Sequence, residues 1–133
     1  MTPDPASGAG VLVHHVALAD EWARVATGEI DYRWSTIEAP LVEVGFVHLA
    51  FAGQVAGVVE RYYRDRIDEI VVLVIDPDRS PSELRLENTS GGTELFPHLY
   101  GPITPAAVVA VEPLAAFLER GDGGQAGDRV RPT

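Results

Sequence analysis

Three of the four histidines interrupt apolar runs. His15 lies within residues 11–17 (VLVHHVA), His48 within residues 45–51 (GFVHLAF), and His98 within residues 96–102 (FPHLYGP). A carboxylate, Glu87, ends the alternating run LRLE. A polar group buried without a partner costs about 1–3 kcal/mol, so each of these is either paired by the fold or turned toward a ligand. Imidazole changes charge near neutral pH and suits proton transfer. A fixed carboxylate can hold a hydroxyl and stabilise positive charge as it develops.

Plainer roles stand beside these. A strand histidine can be a hydrogen-bonded packing residue, Glu87 a solvated edge carboxylate, and FPHLYGP a rigid proline-bounded loop whose His98 caps a backbone group. His14 alternates to the strand face opposite His15 and reads as ordinary. Tyr62 and Tyr63 read as core and rim of a helix. His15, His48, His98 and Glu87 have ligand types that suit zinc or another divalent ion, but no HxH or HxxxH spacing supports a metal site. GxSxG, GxGxxG and GxxxxGK patterns are absent, which removes the sequence case for a nucleophile elbow, a Rossmann site or a P-loop.

Composition narrows the chemistry further. The 133 residues include no cysteine and no lysine; all ten basic residues are arginine. Disulfides, thiol nucleophiles, iron–sulfur clusters and Schiff-base lysines are thereby excluded. Twenty acidic residues bring the net charge to −10, which disfavours nucleic acid and anionic membrane surfaces as partners. The start of the chain carries Asp4 and no basic residue before its apolar run, unlike a secretory signal, and no run approaches the ~20 apolar residues of a membrane span. A cytoplasmic protein is expected.

The positioning elements follow from periodicity. Residues 1–10 read as a flexible arm, 11–120 as a single α+β domain, and 121–133 as a flexible tail. Residues 11–17, 45–51, 70–75, 84–87 and 107–111 read as strands, with 70–75 (IVVLVI) central. Asp20 offers a helix N-cap, with Trp22, Val25 and Ala26 on one face and Gly28 as a stop. Val55, Val58, Val59 and Tyr62 define a second amphipathic helix over residues 54–63, and residues 113–119 could add a terminal turn or two. Residues 28–40 show no period and read as an irregular connection. Gly91-Gly92 marks a turn.

GFVHL (45–49) and FPHLYGP (96–102) resemble the two signature segments of the domain-of-unknown-function 952 family of small bacterial proteins. His15-Val16, Glu21-Trp22, Gly28 with Tyr32, Gln54, residues 71–77 and Glu87 match as well. The family usually has serine where this chain has Ala50, so a hydroxyl-dependent role there is absent or moved. The resemblance implies a fold similar to the ADP-ribosyltransferases: a split, mostly antiparallel sheet with two helices and a cleft that takes NAD. By that resemblance His15 would hold the adenosine ribose and Glu87 the nicotinamide ribose. His48 and the His98–Tyr100 pair would line the same cleft.

The expected site therefore has His48, Glu87 and His98 as catalytic residues and His15, Gln54, Arg85 and Tyr100 as ligand-binding residues. Arg85 shares a strand face with Glu87 and would meet a diphosphate or simply pair with that carboxylate. No tightly bound cofactor is expected; NAD or a related nucleotide is the expected small-molecule substrate, for ADP-ribosyl transfer or glycohydrolysis. The alternatives are a member that keeps the fold without catalysis, a non-catalytic sensor or interaction module, and a divalent-metal hydrolase. In every version of the shared site, His15, His48, Glu87 and His98 must open onto one cleft.

Overall fold

The computed structural model describes residues 11–88 and 93–121. The arm at 1–10, the Gly91-Gly92 turn and residues 122–133 of the tail lie outside the described residues. Two three-stranded antiparallel sheets and a small hairpin carry the fold, with helices on the outside.

Strand β1 (Val13–Leu18) leads directly into α1 (Ala19–Ala26). Asp20 lies in the first turn of α1, not at its cap, which is Leu18. Trp22 and Val25 bury the inner face of α1, Ala26 is exposed, and Gly28 closes the helix at φ 84°. Residues 28–40 are more ordered than their lack of period suggests. They contain the hairpin strands β2 (Trp34–Thr36) and β3 (Ala39–Pro40). A short α2 (Leu41–Val44) follows, then β4 (Val47–His48) and α3 (Ala52–Tyr62). Next come β5 (Ile70–Ile75), β6 (Glu83–Glu87), β7 (Phe96–Tyr100), β8 (Val108–Pro113) and α4 (Leu114–Gly121). The resemblance implied two helices; the described residues hold four, because the short α2 and the C-terminal α4 add to the two amphipathic ones.

In the first sheet β5 lies between β1 and β8, as its unbroken apolar run requires. One face of β1 and β5 packs Val13, Ala17, Leu73 and Ile75 against α1 and the inner face of the second sheet. The other packs Val16, Ile70 and Val72 against Val55 and Val59 of α3 and Leu114 and Phe117 of α4. In the second sheet β7 lies between β4 and β6.

FPHLYGP begins as a central strand rather than a loop, although it contains Pro97. Proline lacks the N–H that a ladder needs, so a central strand normally avoids it. Here the Pro97 carbonyl accepts from the Leu49 N–H at 3.0 Å, while Pro97 has no N–H to return to Leu49. The β4–β7 ladder stops there, and the chain crosses to β1, where His14 and Ala50 exchange two backbone hydrogen bonds of 2.8 Å. That single bridge joins the two sheets and leaves a split between β1 and β4.

Gly101, at the end of the same motif, is required by close approach. A Cβ there would lie 2.0 Å from Ser82 Oγ and 2.7 Å from Ser82 Cβ. Rotating the serine relieves the first contact but not the second. Gly101→Ala should lower stability by about 1–3 kcal/mol, as overpacking does. Adding Ser82→Gly should restore most of the loss in a thermal melt; a single Gly101→Ala variant as stable as the parent contradicts this packing.

Candidate functional site

A cavity of about 340 Å³ lies at the split between β1 and β4. The first sheet supplies His14, His15 and Val16, and the second supplies His48, Leu49, Ala50, Phe96 and His98. Ser35, Thr36 and Glu38 of the hairpin region and Val58, Arg61, Tyr62 and Tyr63 at the end of α3 complete the wall. Strand pairing explains the shared site: His48 lies opposite His98, so both rings leave the same face of the second sheet.

His15 is 2% exposed and has both ring nitrogens engaged. Nδ1 lies 2.8 Å from the His48 carbonyl and Nε2 lies 2.8 Å from the Tyr32 hydroxyl. A carbonyl can only accept, so Nδ1 donates and Nε2 accepts from Tyr32. Burial lowers the His15 pKa to about 4 and holds the ring neutral. The ribose contact implied for His15 therefore has no ring nitrogen to make it. The residue instead ties β1 to β4 and to the segment before the hairpin.

His98 is 1% exposed. Its Nδ1 lies 3.0 Å from Glu87 Oε1, and the Tyr100 hydroxyl donates to the same oxygen at 2.6 Å. The tyrosine hydrogen bond, then that of His98, holds the Glu87 carboxyl below the usual carboxylate range. The ionised carboxylate only accepts, which places the His98 proton on Nδ1 and leaves Nε2 without a hydrogen bond among the described residues. Phe46 stacks on the His98 ring at 4.1 Å between centroids and 20° between planes, and fixes its orientation. His48 meets His98 edge-on at 5.0 Å. Its ring forms no hydrogen bond among the described residues, and burial, followed by the neighbouring His98, lowers its pKa.

The four groups required to share one cleft divide as three and one. His15, His48 and His98 line the cavity; Glu87 stands behind His98, with its side chain 29% exposed. Glu87 bonds His98 and does not itself line the cavity, so the direct ribose contact implied for it is not provided by the geometry. Arg85 is not in the wall: it pairs with Glu83 at 2.9 Å and covers the Tyr100 ring at 4.3 Å, outside Glu87. Tyr100 likewise supports Glu87 and does not line the cavity. Gln54 is occupied elsewhere. Its Oε1 accepts from the Phe51 N–H at 2.9 Å and its Nε2 donates to Glu94 and to the Leu95 carbonyl, so it caps α3 and ties that helix to the segment before β7.

Sequence reasoning gave no site role to five contributors. Tyr32 sits in a stretch without period and is marked only by its match to the family's Gly–Tyr pair. His14 points away from His15, yet both border the cavity because β1 has lost its neighbour along that edge. Ser35 lies in the stretch that reads as an irregular connection but is fully buried in β2. The helical period puts Tyr62 in the core and Tyr63 at the rim; the structure reverses them, with Tyr63 buried and Tyr62 exposed, and both reach the cavity. Among the described residues no group of three His, Cys, Asp or Glu side chains converges as metal ligands.

The geometry defines a mixed α and β domain with split antiparallel sheets and a histidine-lined cavity at the split. The chain belongs to the DUF952 family, described as proteins of unknown function, whose model matches residues 16–111. The crystal structure of protein CC0527 from Caulobacter crescentus is similar, with 25% identity over 75% of this chain and 82% of that one and a TM-score of 0.59. A double methionine mutant of CC0527 gives a TM-score of 0.58 at the same identity and coverage. No curated protein matches the chain. Among the described residues no helix is long and apolar enough to cross a membrane.

The neutral state of His15 has a consequence for acid stability. The unfolded chain protonates this ring near pH 6.5 and the folded chain only near pH 4, so the unfolded state binds more protons between those values. Stability should fall as pH drops through that window, by about 3 kcal/mol for this group alone. Tyr32→Phe removes the hydroxyl donor, strands buried Nε2 and should cost about 1–3 kcal/mol at pH 7. Denaturant titrations at pH 7 and pH 5 measure both; equal stability at the two pH values would contradict a buried neutral His15.

Proposed function

We propose that the cavity binds NAD or a related nucleotide and that His98 transfers a proton there, in an arrangement like that of the ADP-ribosyltransferases. The observation that carries this reading is the state of His98: one ring nitrogen held by an ionised carboxylate, the other unbonded, in a ring on the cavity wall. Glu87 fixes the tautomer and would stabilise the imidazolium when Nε2 takes a proton from a hydroxyl or water. His48, neutral and 5.0 Å away, is the second group able to accept or return a proton.

Size and charge refine the ligand. A volume of about 340 Å³ lies at the lower end of the range for small-molecule sites and suits one nucleoside moiety, with the rest of a dinucleotide at the open mouth. Arg61 is the arginine of the wall and can meet a phosphate, while exposed Tyr62 beside it offers a ring for stacking. The split sheet with its cleft supports the ADP-ribosyltransferase-like reading. The position of Glu87 favours His98 as the group that meets the substrate.

Calorimetry with NAD, ADP-ribose and nicotinamide, paired with a chromatographic assay for nicotinamide release, tests the proposal. Binding of at least one ligand below millimolar concentration is expected. His98→Gln should cut turnover by about 10²-fold or more with little change in affinity. Glu87→Gln should also slow turnover and should alter the pH profile. A neutral His48 is competent above its lowered pKa, so the acid limb of the profile should fall below the ordinary histidine value. Silence of all three ligands to millimolar concentration would overturn the proposal.

A further inference from the structure

Two residues that line the cavity each bury a polar atom without a hydrogen-bond partner among the described residues: His14 Nδ1 and Ser35 Oγ. His14 is 7% exposed and Ser35 is 0% exposed. Neither belongs to the proton-transfer group of His48, His98 and Glu87. An unpaired buried polar atom costs about 1–3 kcal/mol, so a group that paired with either atom would recover part of that cost.

Their chemistry restricts what can satisfy them. Burial lowers the His14 pKa, so the ring is neutral and its Nδ1 either donates or accepts according to tautomer. The serine hydroxyl does both. Phe117 packs on the outer side of His14 at 5.4 Å between ring centroids, in the apolar layer under α4. An ionised group placed against a neutral imidazole and a neutral hydroxyl would lose its hydration without gaining a counter-charge. An uncharged group that donates and accepts together loses little and satisfies both atoms.

We infer that His14 and Ser35 form the specificity subsite of the cavity and recognise an uncharged amide edge, such as a carboxamide or the amide edge of a nucleobase, in preference to a carboxylate. The inference rests on the reading of the cavity as a ligand site and adds which end of the ligand the wall selects. The phosphate-bearing end is left to Arg61, and the reacting bond to His98 and His48.

The test uses nicotinamide mononucleotide and nicotinate mononucleotide, which share ribose and phosphate and differ as amide and carboxylate. Titration calorimetry should show the amide binding about tenfold more tightly or better, the value of one to two well-made hydrogen bonds. Ser35→Ala should weaken the amide by about fivefold and leave the carboxylate nearly unchanged. Because its hydroxyl has no partner among the described residues, Ser35→Ala should leave the melting temperature of the unliganded protein unchanged or raise it. A melting temperature lowered by several degrees would show that the hydroxyl is used by the fold and would overturn the inference. So would equal affinities for the two mononucleotides, or amide binding indifferent to Ser35→Ala, with the ligand site itself left intact. Binding of neither mononucleotide would remove the ligand-site reading and the subsite together.

Discussion

His15 carries a polar ring through an apolar layer, and its two hydrogen bonds decide where three parts of the chain can sit. The His48 carbonyl is held against β1, and the Tyr32 hydroxyl brings the segment before the hairpin across the same ring. Without those partners a buried imidazole would leave two polar ring atoms unpaired at a cost in stability. With them it becomes a spacer that holds β1 and β4 together by a side chain where the backbone ladder has only the His14–Ala50 bridge. The cavity is the room left by that substitution.

Pro97 contributes from the other side. A residue with an N–H at this position could return a bond to Leu49 and extend the β4–β7 ladder; proline stops it, and Leu49–Ala50 is released toward β1. The same strand then presents His98 at the cavity and Tyr100 at Glu87. One short motif thus opens the split, places His98 on the cavity wall and holds Glu87 through Tyr100. The layers around His98 act in one direction: Arg85 covers the Tyr100 ring, Tyr100 fixes Glu87, Glu87 fixes Nδ1, Phe46 fixes the ring plane, and Nε2 is left over among the described residues.

Much of this was legible in the sequence because it rests on pattern and polarity. Strands β1 and β5 and helix α3 follow from periodicity and burial, and the convergence of His15, His48 and His98 follows from polar groups placed in apolar runs. What failed did so for physical reasons. FPHLYGP looked like a loop because proline is read as a strand breaker, whereas here the missing N–H faces the point where the ladder ends. The hairpin at residues 34–40 has strands of three and two residues, too short for a period. The family resemblance implies ligand contacts for Glu87 and His15, but hydrogen-bond saturation is a property of three-dimensional neighbours: Tyr32 lies 17 positions from His15 and Tyr100 lies 13 from Glu87. Gln54 looked like a ligand residue for the same reason and is a helix cap.

The imidazoles divide the labour: His15 is closed by the fold, and His98 is half-closed by Glu87 with its other nitrogen left to the cavity. Long-range nitrogen–proton NMR of the histidine rings reads this directly, since the chemical shift of each ring nitrogen reports whether it carries a proton. The account predicts His15 and His98 both protonated on Nδ1 at neutral pH, with added ADP-ribose shifting His98 Nε2 and His48 and leaving His15 unmoved. His98 protonated on Nε2, or a ligand response at His15 with none at His98, would contradict it.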